Sequence, residues 1–166
     1  MGLDMYLYAR KYVSGVDFGR SADGDFTKTD NPQFAEIMKA AGIEPNDMDV
    51  ELPSLDLKFK VGYWRKANQI HQWFVMNVQD GEDECKPHYV SREQLEELRS
   101  ACREVLADHS KADELLPPQG GFFFGSTEYD EWYFEQVEYT VSILDRILQN
   151  PKFEFGGYDF EYQSSW

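Results

Sequence analysis

Between Leu55 and Tyr63 the chain alternates in polarity: Leu55, Leu57, Phe59, Val61 and Tyr63 are separated by Asp56, Lys58 and Lys60. Successive side chains of a strand point to opposite faces, so this pattern describes a sheet with one side on a core and the other in water. Leu3, Met5 and Leu7 alternate with Asp4, Tyr6 and Tyr8 in the same way. Half-buried strands favour an antiparallel sheet with helices on its apolar face. At the C-terminal end, Phe153-Glu154-Phe155 and the run from Tyr158 to Tyr162 flank Gly156-Gly157. That spacing predicts a β-hairpin.

Four helices are legible between these strands. Asn31-Pro32 is an N-cap followed by a first-turn proline, with Phe34, Ile37, Met38 and Ala41 on one face and Gly42 as the stop. Residues 65–78 place Ala67, Ile70, Phe74 and Val78 on one stripe. Ser91 and Gln94 form a capping box, Val90 and Leu95 a hydrophobic staple, and Leu95, Leu98, Cys102, Val105 and Leu106 the buried face that follows. The longest helix is expected from Thr127 to about Gln149, with Glu128, Asp130 and Glu131 at its start and Arg146 near its end, matching the helix dipole. Its apolar side is Trp132, Tyr133, Val137, Val141, Leu144 and Leu148, and Pro151 closes it. The fold expected is α+β, one domain over residues 1–166: a mostly antiparallel sheet packed on one face by about four helices. Leu57, Phe59, Val61, Ile70, Phe74, Leu98, Val105, Val137 and Leu144 are expected to be buried.

Charge narrows the function. The 166 residues carry 31 acids against 16 bases, a formal net charge of −15. Direct nucleic-acid binding and docking on anionic lipid both call for basic patches, so neither is expected. The opening Met1-Gly2-Leu3-Asp4-Met5-Tyr6 has no basic region leading into an apolar run, no apolar stretch is long enough to span a membrane, and two cysteines make no disulfide framework. A cytoplasmic protein is the expectation. Residues 111–166 hold eleven acids and three bases, about half of the net charge in one third of the chain.

The densest polar cluster is Tyr63-Trp64-Arg65-Lys66-Ala67-Asn68-Gln69-Ile70-His71, where a strand gives way to a helix. Free N–H groups there, with Arg65 and Lys66, suit a phosphate or carboxylate, which makes Tyr63, Trp64, Arg65, Lys66 and Asn68 candidate ligand residues. His71, with Arg65 and Lys66, would be the catalytic set of a small enzyme acting on an anion. Against this, His71 falls in the middle of the apolar stripe, where a histidine is more often a hydrogen-bonded core residue. Cys85 and His88, completed by His71 and Cys102, lack the paired spacings of a zinc site, and Asp80, Glu82, Asp83 and Glu84 lack those of a calcium loop. Neither a metal nor a cofactor is expected. Gly120-Gly121 and Gly156-Gly157 have neither the spacing nor the lysine of a phosphate loop. Phe122-Phe123-Phe124 between glycines is either a buried strand or an exposed binding ridge, and burial is favoured.

Three stretches together resemble a family of small uncharacterised bacteriophage and prophage proteins: Met1-Gly2-Leu3-Asp4-Met5-Tyr6-Leu7-Tyr8, Tyr63-Trp64-Arg65-Lys66 through His71-Gln72-Trp73-Phe74, and Gly121-Phe122-Phe123-Phe124-Gly125-Ser126-Thr127 through Tyr129-Asp130-Glu131-Trp132. The resemblance implies an accessory protein in a bacterial cytoplasm and supplies no catalytic residues. Glu131, Glu135 and Glu138 recur at helical spacing, and such a row can imitate nucleic-acid phosphates on a basic host or phage protein. The plainer reading of the row is a solvated face that keeps the protein soluble.

Overall fold

The computed structural model describes residues 2–44, 47–48 and 50–166. It divides into two compact units, residues 1–10 with 58–166, and residues 11–57. Strands β1 (Asp4–Ser14) and β4 (Ser54–Arg65) contribute to both.

The larger unit is built on a four-stranded sheet in the order β4-β1-β6-β5, where β5 is His88–Val90 and β6 is Asp159–Ser165. β6 runs antiparallel to both neighbours, setting Leu7 opposite Tyr162 and Tyr162 opposite His88. On β1 the alternation holds as the sequence predicts: Leu3, Met5, Leu7 and Ala9 are buried, while Asp4, Tyr6, Tyr8 and Arg10 lie on the other face. Four helices complete the core, α2 (Asn68–Val78), α3 (Arg92–Ala107), the single-turn α4 (Ala112–Leu115) and α5 (Glu131–Leu148). Ile70, Phe74, Leu95, Leu98, Cys102, Val105, Val137 and Leu144 are fully enclosed there. Each large apolar side chain buried in this way contributes about 1.5–3 kcal/mol. The fold is α+β, and no helix among the described residues is long and apolar enough to cross a membrane.

Local signals explain most helix boundaries. The capping box of α3 is formed in both directions, Gln94 N–H donating to Ser91 Oγ at 3.1 Å and Ser91 N–H to Gln94 Oε1 at 2.9 Å. Val90 and Leu95 are buried beside it. α2 starts at Asn68 rather than residue 65, because β4 continues to Arg65 and Lys66 turns the chain. α5 starts at Glu131 rather than Thr127, because the Asp130 carboxylate accepts the Tyr133 N–H at 2.9 Å and fixes the cap there. Trp132, expected on the apolar side, is half out in solvent, and Tyr133 alone of that pair is buried.

Two expectations need correction. No C-terminal hairpin forms: residues 151–155 are a helix, α6 (Pro151–Phe155), and β6 is the only strand beyond it. Asn150 caps α6 through the Lys152 N–H at 3.0 Å and Pro151 sits in its first turn, the arrangement that also opens α1 (Pro32–Ala41). The second correction concerns β4. Phe59 is 47% exposed, Leu57 and Val61 are half-buried, and the enclosed residues near the strand's end are Gly62 and Trp64. A Cβ at Gly62 would lie 3.0–3.2 Å from Trp64, Ile143 and Leu7. The backbone therefore approaches the core closely here, and the inward phase passes to Trp64, whose indole N–H donates to Thr140 Oγ1 at 2.9 Å.

The smaller unit holds the antiparallel pair β2 (Val16–Arg20) and β3 (Phe26–Asp30), together with α1. Asn31 Oδ1 accepts from Gln33 and Phe34 N–H, and Gly42 closes α1 at φ +70°. Val13, Phe34 and Met38 form its core. A cleft of about 630 Å³ opens over Val16, Phe34, Met38 and Ile43, with Lys28 and Lys39 also in its wall.

Candidate functional site

The three stretches singled out in the sequence meet at one junction. The Lys66 N–H donates to the Leu3 carbonyl at 2.8 Å, and the Leu3 N–H to the Phe123 carbonyl at 3.1 Å. Asn68 Nδ2 donates to the carbonyls of Phe124 and Ser126 at 3.1 and 2.7 Å. Lys66 makes the corner between β4 and α2 at φ +57°, a left-handed conformation that costs a residue with a Cβ about 1 kcal/mol. The buried strand expected at the triple Phe does not form: residues 122–124 are a turn, and its three rings divide. Phe124 is buried edge-on to His71, Phe123 is half-buried, and Phe122 is 96% exposed.

The candidate ligand residues do not share one opening. Tyr63 lies on the outer sheet face, where its hydroxyl donates to Asp4 Oδ1 at 2.5 Å. Trp64 is enclosed, and Arg65 and Lys66 are exposed. Asn68 is buried and spends its amide N–H groups on the loop, as Gln69 does on the Tyr133 carbonyl at 3.1 Å. The start of α2, expected to offer free N–H groups to an anion, is thus covered by residues 124–133.

His71 has no accessible surface and is separated from the exposed Arg65 and Lys66 by that burial. Its Nδ1 lies 2.8 Å from the Tyr162 hydroxyl. Its Nε2 lies 3.1 Å from Asp83 Oδ1, off the direction of a well-formed hydrogen bond. With one ring proton, the assignment that serves both contacts has Nδ1 accepting from Tyr162 and Nε2–H facing Asp83. Burial pushes the imidazole below its usual value despite the opposing pull of Asp83, so the ring is neutral at pH 7. The Tyr162 phenol, stacked on Phe74 with centroids 3.9 Å apart, is driven far above its usual value by the same enclosure. Asp83 also accepts from Trp166 Nε1 at 3.2 Å, which ties the last residue of the chain to the loop after α2. Tyr162 and Trp166 are absent from the sequence-derived set, and Asp83 enters it only through the rejected calcium loop, because their partnership spans up to 91 positions and no local spacing announces it.

Among the described residues, no three His, Cys, Asp or Glu side chains gather at metal-ligand spacing. Cys102 is enclosed on α3 with its thiol pushed far up by burial, whereas Cys85 is exposed.

Glu131, Glu135 and Glu138 are all exposed on α5. Among the described residues no lysine or arginine pairs with any of them. Asp145, farther along the same helix, is gripped by Arg103 at 2.7 and 2.9 Å and approached by Arg99 at 3.4 Å. Trp132 and Tyr139, 51% and 43% exposed, flank the three free carboxylates. Such a surface can attract cations electrostatically while its aromatic rings supply area to bury. No family model, curated protein or solved structure matches this chain.

Proposed function

We propose that this chain is a small acidic accessory protein of bacteriophage or prophage type, acting in the bacterial cytoplasm without catalysis. It docks the α5 face of Glu131, Glu135 and Glu138, with Trp132 and Tyr139, onto a basic protein. The observation that carries this reading is the uncompensated state of the three carboxylates beside two half-exposed aromatic rings. Carboxylates one helical turn apart present charge at intervals of about 5 Å, which suits the basic groove of a DNA-binding protein. Occupying that groove would inhibit its owner. Catalysis on an anion by Arg65, Lys66 and His71 has less support, because His71 is sealed from solvent.

The test uses the immobilised full chain and bacterial lysate. A basic protein should be retained at 50 mM salt and released by 300 mM. The E131K/E135K/E138K variant should retain none while melting within a few degrees of wild type, and W132A should weaken retention without changing its salt dependence. Retention that survives both the charge reversal and the salt overturns the proposal. So does phosphate-ester turnover that H71A abolishes without lowering the melting temperature.

A further inference from the structure

One end of the larger unit carries charges of both signs that the fold leaves unused. Phe122, at 96% the most exposed large apolar side chain among the described residues, stands on a firmly held turn. The Phe124 N–H donates to the Gly121 carbonyl at 3.1 Å, and Gly121 packs so closely on the Phe124 ring that a Cβ would lie 2.8 Å from it. Two cations converge beside this turn. A Cβ on Gly2 would lie 3.3 Å from Lys66 Cε, 4.0 Å from Arg65 Nη2 and 3.9 Å from the Phe123 carbonyl oxygen. Arg65 and Lys66 are both exposed, and among the described residues no carboxylate pairs with either. The start of α5 lies at the same end, because the Gln69 amide donates to the Tyr133 carbonyl at 3.1 Å and Gly125 backs onto the Lys66 side chain. Glu131 and Glu135 are exposed there and equally unpaired, with the half-exposed Trp132 beside them.

We infer that this end binds a second copy of the chain about a twofold axis. Arg65 and Lys66 of each copy pair with Glu131 and Glu135 of the other, and Phe122 of each covers the other's Trp132. A patch holding both signs of charge matches itself when turned through half a revolution, and two reciprocal contacts close the assembly at two copies. A single head-to-tail contact would leave cations free at one end and acids at the other, and would continue into a filament. Phe122 brings a nearly bare ring on a rigid turn, so covering it gains apolar burial at little ordering cost. Two chains of net charge −15 repel as wholes. At physiological salt, however, exposed charges act over about 8 Å, so the groups within the contact decide. The dimer stands on these observations alone. It occupies two carboxylates of the row proposed to dock a basic protein, so that protein and the second copy compete for α5.

Sedimentation velocity of the purified full chain at 150 mM salt, from 1 to 200 µM, should show a monomer–dimer equilibrium. R65E/K66E and E131K/E135K each set like charges against one another in both contacts, so each variant alone should stay monomeric. Mixed in equal amounts they should form a one-to-one heterodimer. The reversed groups then face one another in one contact and the native groups in the second. F122A should weaken the wild-type dimer at least about tenfold. Should either charge variant fail to fold, zero-length carbodiimide crosslinking of mixed unlabelled and nitrogen-15-labelled wild-type chains decides. Mixed-isotope products joining Lys66 to Glu131 or Glu135 are then expected. A wild-type chain that is monomeric at 200 µM overturns the inference. So does a dimer that survives either charge variant, an F122A dimer as tight as wild type, or a mixture that stays monomeric with both variants folded. Mixed-isotope crosslinks confined to other residues overturn it as well. Capture of a basic protein by the α5 row is read from lysate and needs no second copy, so the two readings fail separately.

Discussion

Two surfaces of the larger unit combine exposed aromatic rings with charge, and they treat the charge in opposite ways. On the open sheet face Glu161 holds Arg10 and Lys58, the two lysines cap tyrosine rings, and Tyr63 holds Asp4. On α5, Glu131, Glu135 and Glu138 touch no cation among the described residues. Charges in an internal network help to hold the strands that carry them, whereas unpaired charges act only outward. The sheet face is therefore a rigid platform whose stability depends on its polar groups, and the α5 face is one whose carboxylates the fold does not need.

Removing Glu161 gives the largest effect expected from this contrast. Its carboxylate is nearly enclosed, and E161A leaves Arg10 and Lys58 without their shared counter-ion. Loss of one partner from a fully buried pair costs about 3–5 kcal/mol. With Arg10 and Lys58 about 40% exposed, roughly 2 kcal/mol is expected, read from urea unfolding. A loss below about 0.5 kcal/mol would place the sheet network on the same footing as the free α5 carboxylates.

The covered side of the same sheet supplies the next effect. His71 has a native pKa below its unfolded value of 6.5, so between those two values the unfolded chain binds a proton that the native protein does not. Its contribution is fully present above pH 6.5 and is lost as pH falls through that window, at no more than about 1.4 kcal/mol per pH unit. Unfolding at pH 7.5 and pH 5.5 checks this. H71Q starts less stable, yet should lose less on acidification than wild type. Parallel pH profiles for the two chains would mean that the ring titrates alike in the native and unfolded states, and a wild type that gains on H71Q as pH falls would mean that the Asp83 contact is a true ion pair.

What was legible in the sequence follows the distance over which each feature is decided. Ser91 and Gln94, or Asn31 and Pro32, act within three residues, and both helix starts stand where the spacing puts them. The β1 alternation was legible for the same reason. On β4 the phase change depends on Ile143 and Leu7 approaching Gly62 from elsewhere in the chain, and alternation alone carries Phe59 inward. The Gly156-Gly157 hairpin was a misreading that local chemistry could have prevented, since Asn150-Pro151 repeats the helix start of Asn31-Pro32. β2 and β3 are short, and neither shows an alternation that periodicity can detect. Of the candidate site residues, exposure of Glu131, Glu135 and Glu138 follows from the helical wheel. Enclosure of His71 is legible too, from its place in the apolar stripe of α2, but its partner Tyr162 and the enclosure of Trp64 and Asn68 depend on β6 and on residues 124–140, far along the chain.

The smallest effect bears most directly on why α5 is acidic. Glu135 lies four residues after Glu131 and three before Glu138, and like charges at these spacings cost a helix about 0.2–0.5 kcal/mol per pair. E135Q relieves both repulsions and should stabilise the protein by about 0.5 kcal/mol in 20 mM salt, and by almost nothing in 500 mM, where screening has already removed the cost. Paired melting curves at the two salt concentrations measure it. Destabilisation by E135Q at low salt would mean that the carboxylate serves a contact within the fold, and the contrast between the two faces would fail. A gain confined to low salt means that the chain keeps these carboxylates at the expense of its own stability. Side chains that weaken the fold while pairing with nothing inside it are what a docking surface requires, because their counter-charges arrive with the partner.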